Sequence, residues 1–319
     1  MLMFQRIKVF AFIVLVGVLL WFMEYQWASH FNKQLREVFE PAEDIYQKAE
    51  RYHFEVLRII QEERKATVNR ACGEWKNTCV RHPESFSGIH SRSYNVGVCD
   101  IPECGGSGWR NIIYEMDKND ISIGNNRTIS PEDSFKIIVV RHPFQRLAAA
   151  YRYQLRVESS AYFAQLSRTI VEKYKHQRNS SNAKNQAYHG SNDVLTFEDF
   201  VNFVLYDENA QESRLWQTFS ESCNLCDVRY DAILKYETLE EDFNYLQQTL
   251  GFQDKYKDMF FKNNFMTVAD YKVETSFKQL ATNLQDALYK KFLPDFQMFG
   301  YQLPTWLCKR NDITNFLEN

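Results

Sequence analysis

Charge of one sign is what this chain most lacks. Lys and Arg number 38 against 41 Asp and Glu, a formal net charge of -3 over 319 residues. Composition therefore gives no support to wholesale nucleic-acid binding, and any acidic polymer must meet a local basic patch. No Gly-Lys-Ser/Thr follows the glycine-rich run at Gly105, Gly106 and Gly108, which disfavours a nucleoside-triphosphate kinase. No second Cys-x-x-Cys or histidine cluster accompanies Cys223 and Cys226, so zinc spacing is missing and no metal is expected.

Charge is also absent from Val9 to Phe22, and the apolar character extends outward to Ile7 and Met23, giving a span counted from Ile7 to Tyr25. That span is close to the roughly 20 residues that cross a bilayer, with Trp21, Tyr25 and Trp27 suited to the far interface. Arg6 and Lys8 on the near side put the N-terminus in the cytosol by the positive-inside tendency. A cleaved signal peptide is the competing reading, but the run is long and bulky and no Ala-x-Ala-like site ends it. The expected layout is a cytosolic tail over 1–6, a transmembrane signal anchor over 7–25, a lumenal stem over 26–92 and a catalytic-sized domain over 93–319. Seven cysteines fit an oxidising lumen, and the odd count leaves at least one unpaired. A structural disulfide involving Cys223, Cys226 or both is expected. The acceptor sequons at Asn126 and Asn179 agree with lumenal exposure.

With 45% apolar and 15% aromatic residues, the chain can bury one substantial core. From Gln26 to about Asn69 it is charged and almost free of glycine, with Ile45, Ala49, Tyr52 and Val56 at helical spacing. This predicts a helical stem, with self-association into a homodimer left open. Cys72 to Arg92 reads as a disulfide-tied loop. Strands are expected over Tyr94–Cys99, Phe135–Val140 and Tyr230–Leu234, and helices over Trp109–Met116, Phe144–Arg156, Leu195–Leu205, Thr238–Leu250 and Asp286–Asp295. Strand, loop and helix in repetition imply a parallel sheet that binds ligands at its carboxyl edge. Thr196 and Thr238 are expected helix caps, and Gly251 a helix stop. Val157 to Asp193 reads as a polar surface excursion, an ordinary solvated loop before an electrostatic lip for an acidic glycan.

The chemistry concentrates in Ile137 to Tyr151, IIVVRHPFQRLAAAY. An apolar strand runs into Arg141-His142-Pro143, proline suits a first helical turn, and amides at the helix start point at whatever lies above them. Arg141 and Arg146 supply forked donors that match a phosphate. Upstream, glycines at 105, 106 and 108 let backbone amides approach an anion closely.

Together with Lys235-Tyr236-Glu237-Thr238-Leu239-Glu240-Glu241-Asp242, these motifs resemble the Golgi carbohydrate sulfotransferases, in the branch of chondroitin and dermatan 4-O-sulfotransferases. The likeness covers about Val98 to Gly251 and, loosely, the final segment. It implies an α/β, P-loop-like sulfotransferase fold with a central parallel sheet flanked by helices. It also implies a single-pass type II Golgi membrane protein with a lumenal catalytic domain. Such a protein would move a sulfuryl group from 3′-phosphoadenosine-5′-phosphosulfate to a hydroxyl of a glycosaminoglycan or related glycan, without a metal. By this resemblance Gly105, Gly106, Ser107, Gly108, Trp109, Arg110, Arg141 and Arg146 bind the donor, with Arg141 the principal 3′-phosphate ligand. The Lys235–Asp242 run is architectural by default.

The pattern also departs from the family. The loop reads approximately Pro-Lys-Val-Gly-Cys-Thr-Asn-Trp-Lys there, whereas Pro102 is followed here by Glu103. A carboxylate at the reacting centre would meet other negative charge, and like charges about 4 Å apart repel by roughly 4 kcal/mol at an effective dielectric near 20. Ala149 replaces a serine that helps hold the nucleotide's 3′-phosphate in the family, and Leu215 replaces a histidine, which leaves the general base open, with His142 a weak candidate. A second expectation follows, that of a degenerate relative holding a nucleotide, glycan or partner in the lumen without transferring sulfate.

Overall fold

The structure is a computed structural model describing residues 23, 26, 45–75, 86, 88–91, 94–123, 131–181, 194–210, 213–263, 270–304 and 307, with backbone only at 119–123, 175–181, 263 and 270–272. The expected anchor Ile7–Tyr25 lies outside the described residues save Met23, as do Asn126, Cys79, Trp306 and Cys308. Among the described residues no helix is long and apolar enough to cross a membrane. The chain forms two compact units, Met1–Val56 and Leu57–Asn319. In the first, residues 45–56 are helical, with Ile45 and Tyr52 exposed. The second begins well before the expected boundary at 93: residues 57–74, read as stem, form a helix (α1) whose Leu57, Gln61, Val68 and Ala71 are buried.

The sheet has four strands in the order β1 (Ile89–Ser91), β2 (Val96–Cys99), β3 (Phe135–Val140) and β4 (Ala232–Lys235). β1 is an antiparallel edge strand, in a stretch expected as loop, while β2, β3 and β4 run parallel. Val96, Val98, Ile137 to Val140 and Ala232 to Leu234 are buried, the near-continuous apolar reading of strands covered on both faces. α2 (Gly106–Ile123) connects β2 to β3. Between β3 and β4 lie α3 (Pro143–Ala149), a π-helical turn (Ala150–Arg156), α4 (Ala161–Ser181), α5 (Phe197–Tyr206) and α6 (Phe219–Cys223). α7 (Leu239–Leu250), α8 (Asp254–Asn263), α9 (Asp270–Lys278) and α10 (Thr282–Phe299) complete the unit.

The excursion expected after Val157 is largely α4 instead. Ser167, Ile170, Val171 and Tyr174 are buried at helical spacing, so a narrow inward stripe holds a helix whose other faces are polar. Asn179 lies in its last turn. Lys173 reaches the buried Asp207 across 2.6 Å. Thr196 caps α5 in a reciprocal capping box with Asp199. Gly251, at φ 68, ends α7 as expected. The last helix starts earlier and ends later than its expected bounds, carrying Pro294 inside it.

β4 is the far edge of the sheet, and side chains of α1 close it. Ile233 N–H donates to Gln61 Oε1 at 2.9 Å, and Arg64 Nη1 donates to Ile233 O at 2.7 Å. These are the backbone groups an unpaired edge would leave open to another chain. Asp242 locks the arrangement. Its carboxylate accepts from Arg64 Nη1 (2.7 Å), Gln61 Nε2 (3.3 Å), Lys235 N (2.9 Å) and Thr238 Oγ1 (3.0 Å), and the residue is 1% exposed. Thr238 therefore does not cap α7 with its side chain, contrary to expectation; its hydroxyl serves Asp242 and Arg64.

The Cys-x-x-Cys pair is split between two partners. Cys223 bonds Cys99 at the end of β2, and Cys226 bonds Cys72 in the last turn of α1. Each bridge spans more than a hundred residues, 124 and 154 apart in sequence, where the chain-entropy account gives the largest effect.

Arg64→Met leaves the Asp242 carboxylate and the Ile233 carbonyl buried without their cation. We expect a loss of about 3 kcal/mol in unfolding free energy by urea denaturation, since breaking one side of a buried pair costs 3 to 5.

Candidate functional site

Register places three loops at one edge. Cys99 is level with Ile138, and Val140 with Lys235, so the residues that follow β2, β3 and β4 leave the sheet on the same side. These are Asp100 to Gly105, Arg141 with His142, and Tyr236 with Glu237. This is the carboxyl edge at which open α/β sheets hold ligands.

The loop after β2 turns on two left-handed residues, Glu103 at φ 65 and Gly105 at φ 88. Glycine is required at 105 twice over, because a Cβ there would also stand 2.6 Å from the Phe260 ring. Glu103 has no such exemption, and a non-glycine residue in this region costs about 1 to 2 kcal/mol. α2 then opens at Gly106, where a Cβ would run into the Asp100 carboxylate. Ser107 is exposed in the first turn. Arg110, also exposed, is ion-paired with Asp100. Trp109, expected to bind donor, has its side chain in the core: it is 1% exposed and stacks on Phe243 at 5.3 Å between centroids.

Arg141 sits behind this loop at 6% exposure. Its Nη1 donates to Glu103 O at 3.1 Å, and its guanidinium lies 4.4 Å from the Tyr236 ring centroid. Nε is buried with no hydrogen-bond partner among the described residues. A buried charged donor without a partner is costly unless something else completes it, so Arg141 is suited to an anion at this edge. The neighbouring carboxylate has its own partner: Glu103 Oε1 accepts from Gln154 Nε2 at 2.6 Å.

Arg146 does other work. It is 2% exposed, and its Nε, Nη1 and Nη2 donate to the carbonyls of Pro102, Gln217 and Arg214. The plane also faces Phe219 at 4.7 Å. With its fork divided among three carbonyls, Arg146 braces the loop after β2 and offers little to a donor nucleotide, contrary to the expectation for it. His142 is placed by structure too. Its backbone N–H donates to Glu237 Oε1 at 2.7 Å, while its ring packs against Phe144, Phe296 and Tyr301. Leu215 and Trp216 are buried, with Trp216 Nε1 donating to Ala210 O at 2.6 Å.

Two buried titratable groups flank Arg146. Burial pushes the Cys104 thiol up to about 12, against the pull of Arg146 and Arg141, so it stays protonated and unreactive. Burial pushes the Asp295 carboxyl up to about 7, opposed by Arg146 and by the amide of Phe219, which donates to Oδ1 at 2.9 Å. Among the described residues no group of three or more His, Cys, Asp or Glu is gathered as a metal site.

Sequence reasoning did not find Gln154, Asp100 or the stacking of Tyr236 on Arg141. A glutamine in a helix carries no signal, and the Tyr236 contact joins residues from two strands that only the sheet brings together.

A family model described as the sulfotransferase family matches residues 89–302. Mouse carbohydrate sulfotransferase 11 is 32% identical over 175 residues, 54% of this chain and 48% of that protein. Human carbohydrate sulfotransferase 9 is 25% identical over 281 residues, 76% of this chain and 60% of that one. Carbohydrate sulfotransferase 10 of Xenopus laevis is 27% identical over 253 residues, 73% and 63% of the two chains. The chain thus spans about half the length of the first of these relatives and less than two thirds of the others. No solved structure matches at a significant level.

Arg146→Lys removes the fork that grips three carbonyls, and we expect it to lower the urea unfolding free energy by about 3 kcal/mol. Asp295 gives a pH signature. Its folded value lies above the ordinary 3.8, so the native state holds the extra proton between about pH 4 and 7 and stability falls as pH rises through that window. The expected maximum slope is about 1.4 kcal/mol per pH unit. Asp295→Asn should therefore gain on the parent protein as pH rises from 4 to 7; a pH-independent difference would refute the assignment.

Proposed function

The chain belongs to the sulfotransferase family, and from that premise we propose that it is a carbohydrate sulfotransferase using 3′-phosphoadenosine-5′-phosphosulfate. The acceptor would be a hydroxyl of a glycosaminoglycan or related glycan, consistent with relatives named as carbohydrate sulfotransferases. One observation carries the reading: the unpartnered, buried Nε of Arg141 stands beside a glycine turn that opens α2. That chemistry fits a phosphorylated donor.

The bound donor supplies the activated sulfuryl group. In this reading Arg141 holds the 3′-phosphate, its plane fixed by Tyr236 and its Nη1 by the Glu103 carbonyl. The amides of Gly105 to Gly108 and the start of α2 face the 5′ side, where the helix dipole favours negative charge. Arg110 would exchange Asp100 for the donor's oxygens. Catalysis of this kind rests on alignment and charge stabilisation, with the sulfur–oxygen bond to the phosphate breaking as the bond to the acceptor oxygen forms. The acceptor's proton leaves to a base that this chain's motif positions do not identify.

We further propose that the protein lies in the Golgi membrane, anchored through Ile7–Tyr25 with the domain in the lumen and with Asn126 and Asn179 as glycosylation acceptors. The two long-range disulfides support an oxidising compartment.

Calorimetric titration of the purified chain with 3′-phosphoadenosine-5′-phosphate tests the donor site without an acceptor. We expect micromolar binding, about -8 kcal/mol, weakened roughly a hundredfold by Arg141→Ala. A folded chain that binds neither this nucleotide nor the sulfated donor would overturn the proposal.

A further inference from the structure

Glu103 puts a carboxylate into the left-handed turn beside Arg141, and the fold carries a device that deals with it. The helix after Pro143 does not stay α-helical: Ala150 to Arg156 is a π-turn. In a regular helix the residue below Ala150 on its own face would be Gln154, whereas the wider i to i+5 spacing puts Leu155 there. Burial follows the π spacing, with Ala150 at 0% and Leu155 at 1% exposure. Gln154 is thereby released from the core-facing row and is only partly buried. There its Nε2 donates to Glu103 Oε1 at 2.6 Å. Its other end is fixed as well, since Ser159 Oγ donates to Gln154 Oε1 at 2.7 Å and Ser159 N–H donates to the Gln154 carbonyl at 3.1 Å. The Glu103 backbone is held independently by Arg141 Nη1, so main chain and side chain of one residue are fixed by two different elements.

We infer that Gln154 is a positioning residue that holds the Glu103 carboxylate away from the anion site formed by Arg141 and the Gly105 to Gly108 amides. The inference rests on the donor-site reading above. A neutral amide suits the task, because it fixes the carboxylate without placing a second cation beside the loop that would compete for the donor. An isolated carboxylate released into the same loop would instead reach toward the orphaned Arg141 Nε and the helix-start amides, the groups an incoming phosphate needs. Ser159, Gln154 and Glu103 thus form one relay that keeps an acidic residue compatible with an anion-binding turn.

The test is a double-mutant cycle read by calorimetric titration of the full chain with 3′-phosphoadenosine-5′-phosphate. Gln154→Ala should weaken binding about tenfold, within the range over which contacting residues couple. Glu103→Gln alone should tighten binding, and Glu103→Gln combined with Gln154→Ala should return it to within a few-fold of the parent protein. Ser159→Ala, milder and far less disruptive of the helix, should show a smaller weakening that Glu103→Gln also cancels. If Gln154→Ala and Ser159→Ala bind as the parent does, or if the double variant stays as weak as Gln154→Ala, the inference is overturned. Failure of the parent chain to bind the nucleotide at all would instead count against the proposed function.

Discussion

The buried guanidinium of Arg146 is the fixed point from which the candidate site is built. It gathers carbonyls from Pro102, Arg214 and Gln217, segments that the Cys99–Cys223 bridge also ties together, and does so at 2% exposure. A planar, forked donor reaches three acceptors from three separate nitrogens, whereas the three donors of a lysine radiate from a single atom. The cost of burying that charge is offset by the three hydrogen bonds and by the face of Phe219. Because Pro102 is pinned, the left-handed turn at Glu103 and Gly105 is presented to Arg141 in one conformation.

A second constraint holds the opposite side of the same edge. β4 would be an open edge strand, yet Gln61 and Arg64 satisfy Ile233, and Asp242 ties both to the turn that follows β4. The same turn delivers Tyr236 to the face of Arg141 and Glu237 to the amide of His142. Contacts to Asp242 and α1 and contacts to the residues that follow β3 therefore alternate along one short stretch of sequence. Neither kind of contact can be assigned from spacing alone, because both draw on polar and aromatic residues.

Much of the fold was legible. The parallel strands, the helix after Arg141, the Thr196 cap and the Gly251 stop follow from local rules of propensity and periodicity, and each is found close to its expected place. What was lost locally was lost to tertiary packing. α4 keeps only a thin buried stripe, so its polar majority read as loop. Residues 57–74 look like any amphipathic stem until Gln61 and Arg64 find β4. Arg141 and Arg146 lie five residues apart with the same chemistry and are both buried, and only their partners separate them: Arg146 spends its donors on three carbonyls, while Arg141 keeps Nε without a hydrogen bond among the described residues.

The sequence by itself determined the alternation of strand and helix, the glycine turn, the arginine after β3 and the excess of cysteines, because these depend on side-chain type and on spacing along the chain. The tertiary structure decided which cysteines pair, which arginine keeps an unpartnered donor and where the Glu103 carboxylate is held. Those outcomes depend on distances between residues up to 154 positions apart, and on which polar groups are removed from water together. No local pattern encodes either quantity.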